Sequence, residues 1–233
     1  MKKFLLTVLL ATSFAHVQAA PITFSNPQFR TAAIASVGDV EAAEFENSPP
    51  DALPLLTFAE VITVVDFAAA GAIGDSVLGG GFLQTTSDVF AAGMSAFAFA
   101  AVHFVADFTG TGAALRLLLD LDTLSDQDGD GFADSLVEVL LVSQGVTLLD
   151  QLVTSPGSSR FSFDLNEGAP ATLSVLLTNS ALATAGSGSA ISSLQFRVNQ
   201  VPETPMLLLL LSGLGLLMCG RGNFFRSTSR RTA

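Results

Sequence analysis

The sequence predicts an all-β fold, an antiparallel β-sandwich of jelly-roll-like type, on three observations. Apolar residues recur with period two through most of residues 20–200. Gly- and Pro-rich clusters interrupt that pattern at short intervals, and no stretch away from the two termini sustains a helical period. Many short alternating strands with Gly/Pro turns bury their apolar sides by packing as two sheets face to face.

In chain order, the acidic, proline-broken stretch Ala42–Leu56 reads as a long loop, with a short helix through Val40–Phe45 as the alternative. Val61–Phe67 is the first expected strand, and Gly79-Gly80-Gly81 a turn. Phe90–Phe104 is rich in Ala and Phe and suits a buried helix or a strand. Its near-alternation favours strand, so Phe97–Phe108 is taken as one, ended by Thr109-Gly110-Thr111-Gly112. In Ala114–Asp122 the side chains of Leu115, Leu117, Leu119 and Leu121 share one face, opposite Arg116, Asp120 and Asp122. Leu136–Val142 and Val146–Val153 follow, before the Ser155-Pro156-Gly157 turn. Arg160–Leu165 places Phe161, Phe163 and Leu165 inward. Leu173, Val175 and Leu177 define a further inward face, and Leu194, Phe196 and Val198 the last one. Ala183–Ala190, containing Gly186-Ser187-Gly188-Ser189, reads as a flexible turn between those two strands.

Composition narrows the function. Residues 20–200 hold four basic residues (Arg30, Arg116, Arg160, Arg197) against 20 acidic ones, a formal charge of −16. Such a field repels nucleic acid, and it repels anionic polysaccharide unless a cation bridges the two. The chain's single cysteine, Cys219, lies outside this region, so no disulfide can staple it. About 180 residues can build a sufficient core without one. Trp and Tyr are absent while Phe occurs 19 times, which weakens a sugar-stacking surface.

One constellation carries metal chemistry. Asp126-Gln127-Asp128-Gly129-Asp130-Gly131-Phe132-Ala133-Asp134 offers carboxylates at positions 1, 3, 5 and 9, a turn-permitting glycine at position 6, and the Phe132 carbonyl at position 7. Calcium takes six to eight oxygens, and such a loop supplies several of them. The pattern resembles the calcium loops of EF-hand, dockerin and thrombospondin type 3 proteins, which implies a structural calcium held by Asp126, Asp128, Asp130, Phe132 and Asp134. It departs from them at position 12, which is Val137, with Glu138 one residue late and strands expected on both flanks.

Catalytic candidates are few. His103 lies between Val102 and Phe104 in an expected strand, where a packed or half-exposed histidine is the commoner outcome. Asp120 and Asp122 could form a glycosidase-type carboxylate pair, but no aromatic platform accompanies them. No catalytic residue is assigned, and the chain reads as non-enzymatic.

The termini carry an address. Lys2 and Lys3 precede an apolar run from Phe4 to Ala15, and Val17-Gln18-Ala19 places small residues at −3 and −1, so residues 1–19 read as a secretory signal peptide. At the other end Val201-Pro202-Glu203-Thr204-Pro205 is followed by an apolar helix over 206–220 and a tail, 221–233, with Arg221, Arg226, Arg230 and Arg231. Fifteen residues of helix span roughly 22 Å, a marginal crossing of a bilayer core about 30 Å thick. Arginines beyond it stay cytoplasmic.

This order of motif, short span and arginines resembles the PEP-CTERM sorting signal, through Val201, Pro202, Glu203 and Pro205. Thr204 stands where the family often has Pro, and Asn223-Phe224-Phe225 spreads the arginines. The run from Phe161-Ser-Phe-Asp-Leu to Leu194-Gln-Phe196 also resembles the C-terminal half of many exported β domains of that family. The resemblance implies export by the Sec translocon, signal-peptidase cleavage, transient residence in the inner membrane, and processing by an exosortase. The mature protein is then expected at the cell surface or outside the cell, associated with exopolysaccharide in biofilm. Residues 20–200 form the exported domain and 201–233 the sorting signal. A calcium-dependent carbohydrate-binding module and a secreted polysaccharide hydrolase are the alternatives.

Overall fold

The structure is a computed structural model that describes residues 22–48, 54–77 and 79–201. Within the unit Ala20–Val201 lie twelve strands: β1 (Ser25–Val37), β2 (Val40–Ser48), β3 (Leu55–Ile62), β4 (Phe67–Val77), β5 (Gly80–Ala91), β6 (Ala96–Thr109), β7 (Ala114–Gly129), β8 (Phe132–Ser143), β9 (Val146–Val153), β10 (Gly157–Asp164), β11 (Pro170–Ala183) and β12 (Gly186–Gln200). They form two six-stranded sheets, ordered β2-β1-β6-β11-β8-β9 and β10-β7-β12-β5-β4-β3, with every pairing antiparallel. The all-β sandwich expected from the sequence is observed.

Alternation determines which faces meet. Leu115, Leu117, Leu119 and Leu121 of β7, Leu173, Val175 and Leu177 of β11, and Leu194, Phe196 and Val198 of β12 are all buried, as their period-two spacing requires. Phe104 is the hub of a phenylalanine cluster, with ring centroids 5.4 Å from Phe24, 5.0 Å from Phe29 and 4.8 Å from Phe196. Phe29, Phe104 and Phe196 are fully buried, each contributing roughly 1.5–3 kcal/mol, and Phe24 packs against them half-buried. A polar thread crosses the core: the Asn179 amide donates to the Thr85 and Ala190 carbonyls at 3.0 Å, and Ser135 meets Ser192 at 2.6 Å. These contacts join β8 and β11 of one sheet to β5 and β12 of the other and fix how the two faces align.

Several local expectations are corrected. Where a loop over Ala42–Leu56 or a short helix over Val40–Phe45 was expected, Val40–Ser48 is an edge strand and Leu55-Leu56 already belongs to β3. The exposed Glu44 side chain accepts the Phe58 amide at 2.9 Å and so closes the seam between β2 and β3. Val61–Phe67 is no continuous strand, because Thr63–Asp66 is a turn: Thr63 donates its amide to the Asp66 carbonyl at 2.9 Å, and β4 starts at Phe67. The turn expected over Ala183–Ala190 shrinks to Thr184-Ala185, with Gly186–Ala190 already in β12. In β6 the alanines Ala96, Ala98 and Ala100 are the buried set, and Phe97 and Phe99 face outward.

Asp66 anchors one end of the sandwich. It is 2% exposed, and its carboxylate accepts the amides of Ala92 at 2.6 Å, Gly93 at 2.9 Å and Met94 at 3.1 Å. The turn before β4 is thereby tied to the turn after β5. Gly38, between β1 and β2, donates to the Ser95 carbonyl at 2.9 Å and joins the first hairpin to the same corner.

Candidate functional site

In the structure the acidic motif Asp126–Asp134 is a strand corner. β7 runs on through Asp126 and Asp128 to Gly129, Asp130 and Gly131 make the turn, and β8 begins at Phe132 in the other sheet. Asp126 and Asp128 lie on the outer face of β7, in register with Ser189 and Ser187 of β12. Asp134 lies on the outer face of β8, in register with Ser180 of β11, on the opposite side of the sandwich. The Phe132 carbonyl faces Gly188 closely enough that a Cβ there would stand 2.6 Å away.

Asp130 already has partners. Its carboxylate accepts the Thr184 amide at 3.0 Å, the Ala185 amide at 2.7 Å, and the Thr184 hydroxyl. The hydroxyl first, then the two amides, hold this carboxyl below its ordinary range. Asp126, Asp128 and Asp134 each accept the amide of the next residue, at 3.0, 2.9 and 2.8 Å. A calcium shell needs oxygens converging at 2.3–2.6 Å. This donor set does not fit one, and among the described residues no group of three or more His, Cys, Asp or Glu side chains is disposed to hold a metal.

The motif's glycines have another purpose. A Cβ on Gly131 would overlap the Ser187 carbonyl, so the corner can seat against β12 only without a side chain there. Asp130 then closes the Thr184-Ala185 turn from the other side. We expect Asp130→Asn to raise amide hydrogen exchange at Thr184 and Ala185 in the native state, with little change elsewhere. Because the folded pKa is depressed, the contribution of Asp130 is intact above the ordinary carboxylate pKa of about 3.9 and is lost only as pH falls through the lower folded value. Calcium and chelator should leave exchange at this corner unchanged; protection that collapses with chelator would restore the metal reading.

His103 lies on the outer face of the first sheet, its Nε2 2.7 Å from the Ser174 Oγ. Burial, with the Arg30 charge, pushes its pKa down against the smaller opposing pull of Glu138. Sequence order could not show this Ser–His contact, since the residues meet only through the β6–β11 register. β6 and β11 are interior strands bonded on both sides, so their amides are engaged in the ladder and leave no donors for an oxyanion.

A second surface feature was not visible in the sequence. On the outer face of the second sheet, Asp120 and Gln195 occupy adjoining positions of β7 and β12, with Ser158 of β10 donating to Asp120 at 3.1 Å. They join two shallow concavities of about 320 and 560 Å³. Asp122 lines the larger of the two, against Ser193. Of the sorting residues, only Val201 is described. Its amide donates to the Ala114 carbonyl at 2.7 Å, beside the start of β7. Pro202, Glu203, Pro205, Arg221, Arg226, Arg230 and Arg231 lie outside the described residues, as do residues 1–19 and the expected span over 206–220.

The fold and surface therefore define an antiparallel β-sandwich domain with open outer sheet faces. No family model matches the chain, and no curated protein matches it. Among solved structures it is similar to the GH31 alpha-xylosidase Xac1773 from Xanthomonas citri, at 10% identity and a TM-score of 0.22. That match covers 78% of this chain, which spans about a third (33%) of the xylosidase. It is also similar to broad bean stain virus, at 13% identity over 81% of this chain and 97% of that one, with a TM-score of 0.20. The infectious bursal disease virus Gt strain matches at 11% identity, over 83% and 70% of the two chains, again with a TM-score of 0.20. At such scores none of these likenesses carries a function across.

Proposed function

We propose that this chain is an exported, exosortase-processed protein of the cell surface or extracellular matrix, non-enzymatic and associated with exopolysaccharide. Its N-terminal residues 1–19 direct it through the Sec translocon to signal peptidase, and residues 201–233 hold it at the inner membrane until an exosortase-type enzyme acts at Val201–Pro205. The observation that carries this reading is the junction. The folded unit is Ala20–Val201, and β12 ends at Gln200, directly before Pro202-Glu203. A cut beyond Glu203 would release a finished domain, because among the described residues the last backbone bond, Val201 to Ala114, is made by the first residue of the motif and lies before Pro202-Glu203. The sandwich is read as jelly-roll-like, since the chain changes sheet at almost every connection from β5 onward.

Intact mass and membrane fractionation of the protein from its producing cell test the proposal, with and without Val201–Pro205 replaced. We expect the wild type to lack the residues beyond about Glu203 and to leave the inner membrane, and the replaced chain to keep its tail through Ala233. A wild-type chain retaining that tail in the inner membrane would sink the processing step and reduce the C-terminal segment to an anchor.

A further inference from the structure

The four arginines of residues 20–200 are not scattered. Three of them share one corner of the outer face of the second sheet. Arg160 of β10 pairs with Leu118 of β7, and Leu118 pairs on its other side with Arg197 of β12. Arg116, two residues before Leu118 on the same face, pairs with Ser162 and Asn199. Strands lie about 4.8 Å apart and alternate residues about 6.8 Å, so the Arg160 and Arg197 backbones are roughly 10 Å apart, with Arg116 about 7 Å from the residue between them. Arg160 and Arg197 line the 320 Å³ concavity with Leu118, Asp120, Ser158 and Gln195. The Arg197 stem lies across Gly80 of β5, where a Cβ would come within 2.9 Å of its Cγ.

Folding does not ask for this arrangement. Asp120 and Asp164 adjoin the corner on the same face, but three arginine positions side by side still outnumber them, in a domain where 20 carboxylates are available to four arginines and dispersed pairing would lower the field everywhere. A ligand that brings negative charge resolves the conflict, and guanidinium forks match carboxylates in a bidentate manner. The neighbours of the arginines narrow its chemistry. Asp120, which repels a dianionic phosphate, accepts hydrogen bonds from hydroxyl groups. Gln195 and Ser158 donate and accept in the same way, and Leu118 offers a small apolar floor between the two arginines. Carboxylates spaced along a chain of hydroxyl-bearing rings satisfy all of these groups together.

We infer that this corner binds a carboxylate-bearing polysaccharide, with Arg160 and Arg197 taking uronate carboxylates, Arg116 extending the track, and Asp120, Gln195 and Ser158 taking ring hydroxyls. This deepens the exopolysaccharide association proposed above and rests on it. The excess negative charge of the domain adds a signature. At low salt its field reaches the polymer and opposes binding. Near 0.15 M the screening length of about 8 Å hides distant carboxylates while leaving contact pairs intact. Affinity should therefore rise and then fall with salt, whereas a purely basic patch would lose affinity throughout.

The test uses the full-length chain in nonionic detergent and polygalacturonate oligosaccharides of defined length. The same oligosaccharides methyl-esterified, inorganic sulfate and phosphatidylglycerol vesicles serve as comparisons. We expect the esterified oligosaccharide to bind at least roughly tenfold more weakly. Arg160→Gln and Arg197→Gln should each lower affinity by about tenfold, while Arg30→Gln, on the other sheet's outer face, changes nothing. Both groups are exposed, and thermal unfolding verifies that the variants fold. Should either glutamine variant fail to fold, lysine at the same position keeps the charge, loses the fork, and should bind with intermediate affinity. Wild-type affinity in both glutamine variants, an equal loss in Arg30→Gln, no discrimination against the ester, or tighter binding to the vesicles or to sulfate would each overturn the inference. A chain that is cut and released yet ignores polygalacturonate defeats this inference alone. A chain that binds it but is never cut defeats only the sorting reading.

Discussion

Replacing Asp66 with alanine is expected to cost about 2–4 kcal/mol of folding stability, among the largest effects of any single side chain in this domain. The carboxylate is 2% exposed and accepts three consecutive amides, from Ala92, Gly93 and Met94. Those donors lie in an exposed turn, so water can recover part of the loss, which keeps the figure below three full charge-assisted bonds. What water cannot recover is the connection. Without the carboxylate, the turn before β4 and the turn after β5 are no longer fixed to each other, and the Gly38–Ser95 contact loses its support. Asp66→Asn should cost nearly as much, because an amide offers one acceptor and directs two donors at a site that already donates. For a domain of this size the melting temperature should fall by roughly 4–16 °C. Urea unfolding measures the free energy, and hydrogen exchange at Ala92–Met94 locates it. A loss below about 1 kcal/mol would mean that the turns hold their own shape and Asp66 merely occupies the space between them.

Period two was legible wherever large apolar residues alternate with charged ones. Leu115 to Leu121 against Arg116, Asp120 and Asp122 shows its inward face in the sequence itself, and the ends of β9, Val146–Val153, are those its alternation predicts. The pattern failed where both sides of a strand are small. β4 reads Phe-Ala-Ala-Ala-Gly-Ala-Ile-Gly, with Ala68, Ala70 and Ala72 buried inside and Gly71 lying under the Phe58 ring outside, so hydropathy barely alternates. β1 conceals its inward set as Phe29, Thr31, Ala33, Ala35 and Val37, broken by a threonine and flanked by Ala32 and Ile34. β2 has the Ala/Glu letters of a helix, and only its pairing with β1 makes it a strand.

The surface features divide in the same way. The D-x-D-G-D-G run announced a tight acidic turn, and that turn is present. Its resemblance to a calcium loop could not anticipate that Asp130 would be taken by Thr184 and Ala185, 54 and 55 residues away. The arginine corner had no local signal of any kind. Arg116, Arg160 and Arg197 converge only through the strand order β10-β7-β12, which no periodicity reveals. Local chemistry can be read along the chain; convergence has to be read across it.

Gly131→Ala is the second large effect expected, and pairing it with Gly145→Ala separates two reasons for a glycine. Gly145 has φ +79 in the β8–β9 turn with nothing within 4 Å of its missing Cβ. Alanine there suffers only the backbone penalty of the left-handed region, about 1 kcal/mol. Gly131 has no such φ, yet a Cβ on it would overlap the Ser187 carbonyl. That carbonyl belongs to β12, which is bonded to both β5 and β7 and cannot yield. The corner must therefore lift away, drawing Asp130 off the Thr184-Ala185 turn, and a cost of roughly 3 kcal/mol or more follows. Denaturant unfolding of the two variants side by side decides the matter. Equal losses would leave backbone conformation as the whole explanation. A Gly131 loss several times larger, unchanged by calcium or chelator, would assign the glycine of this motif to the seating of one strand corner on another.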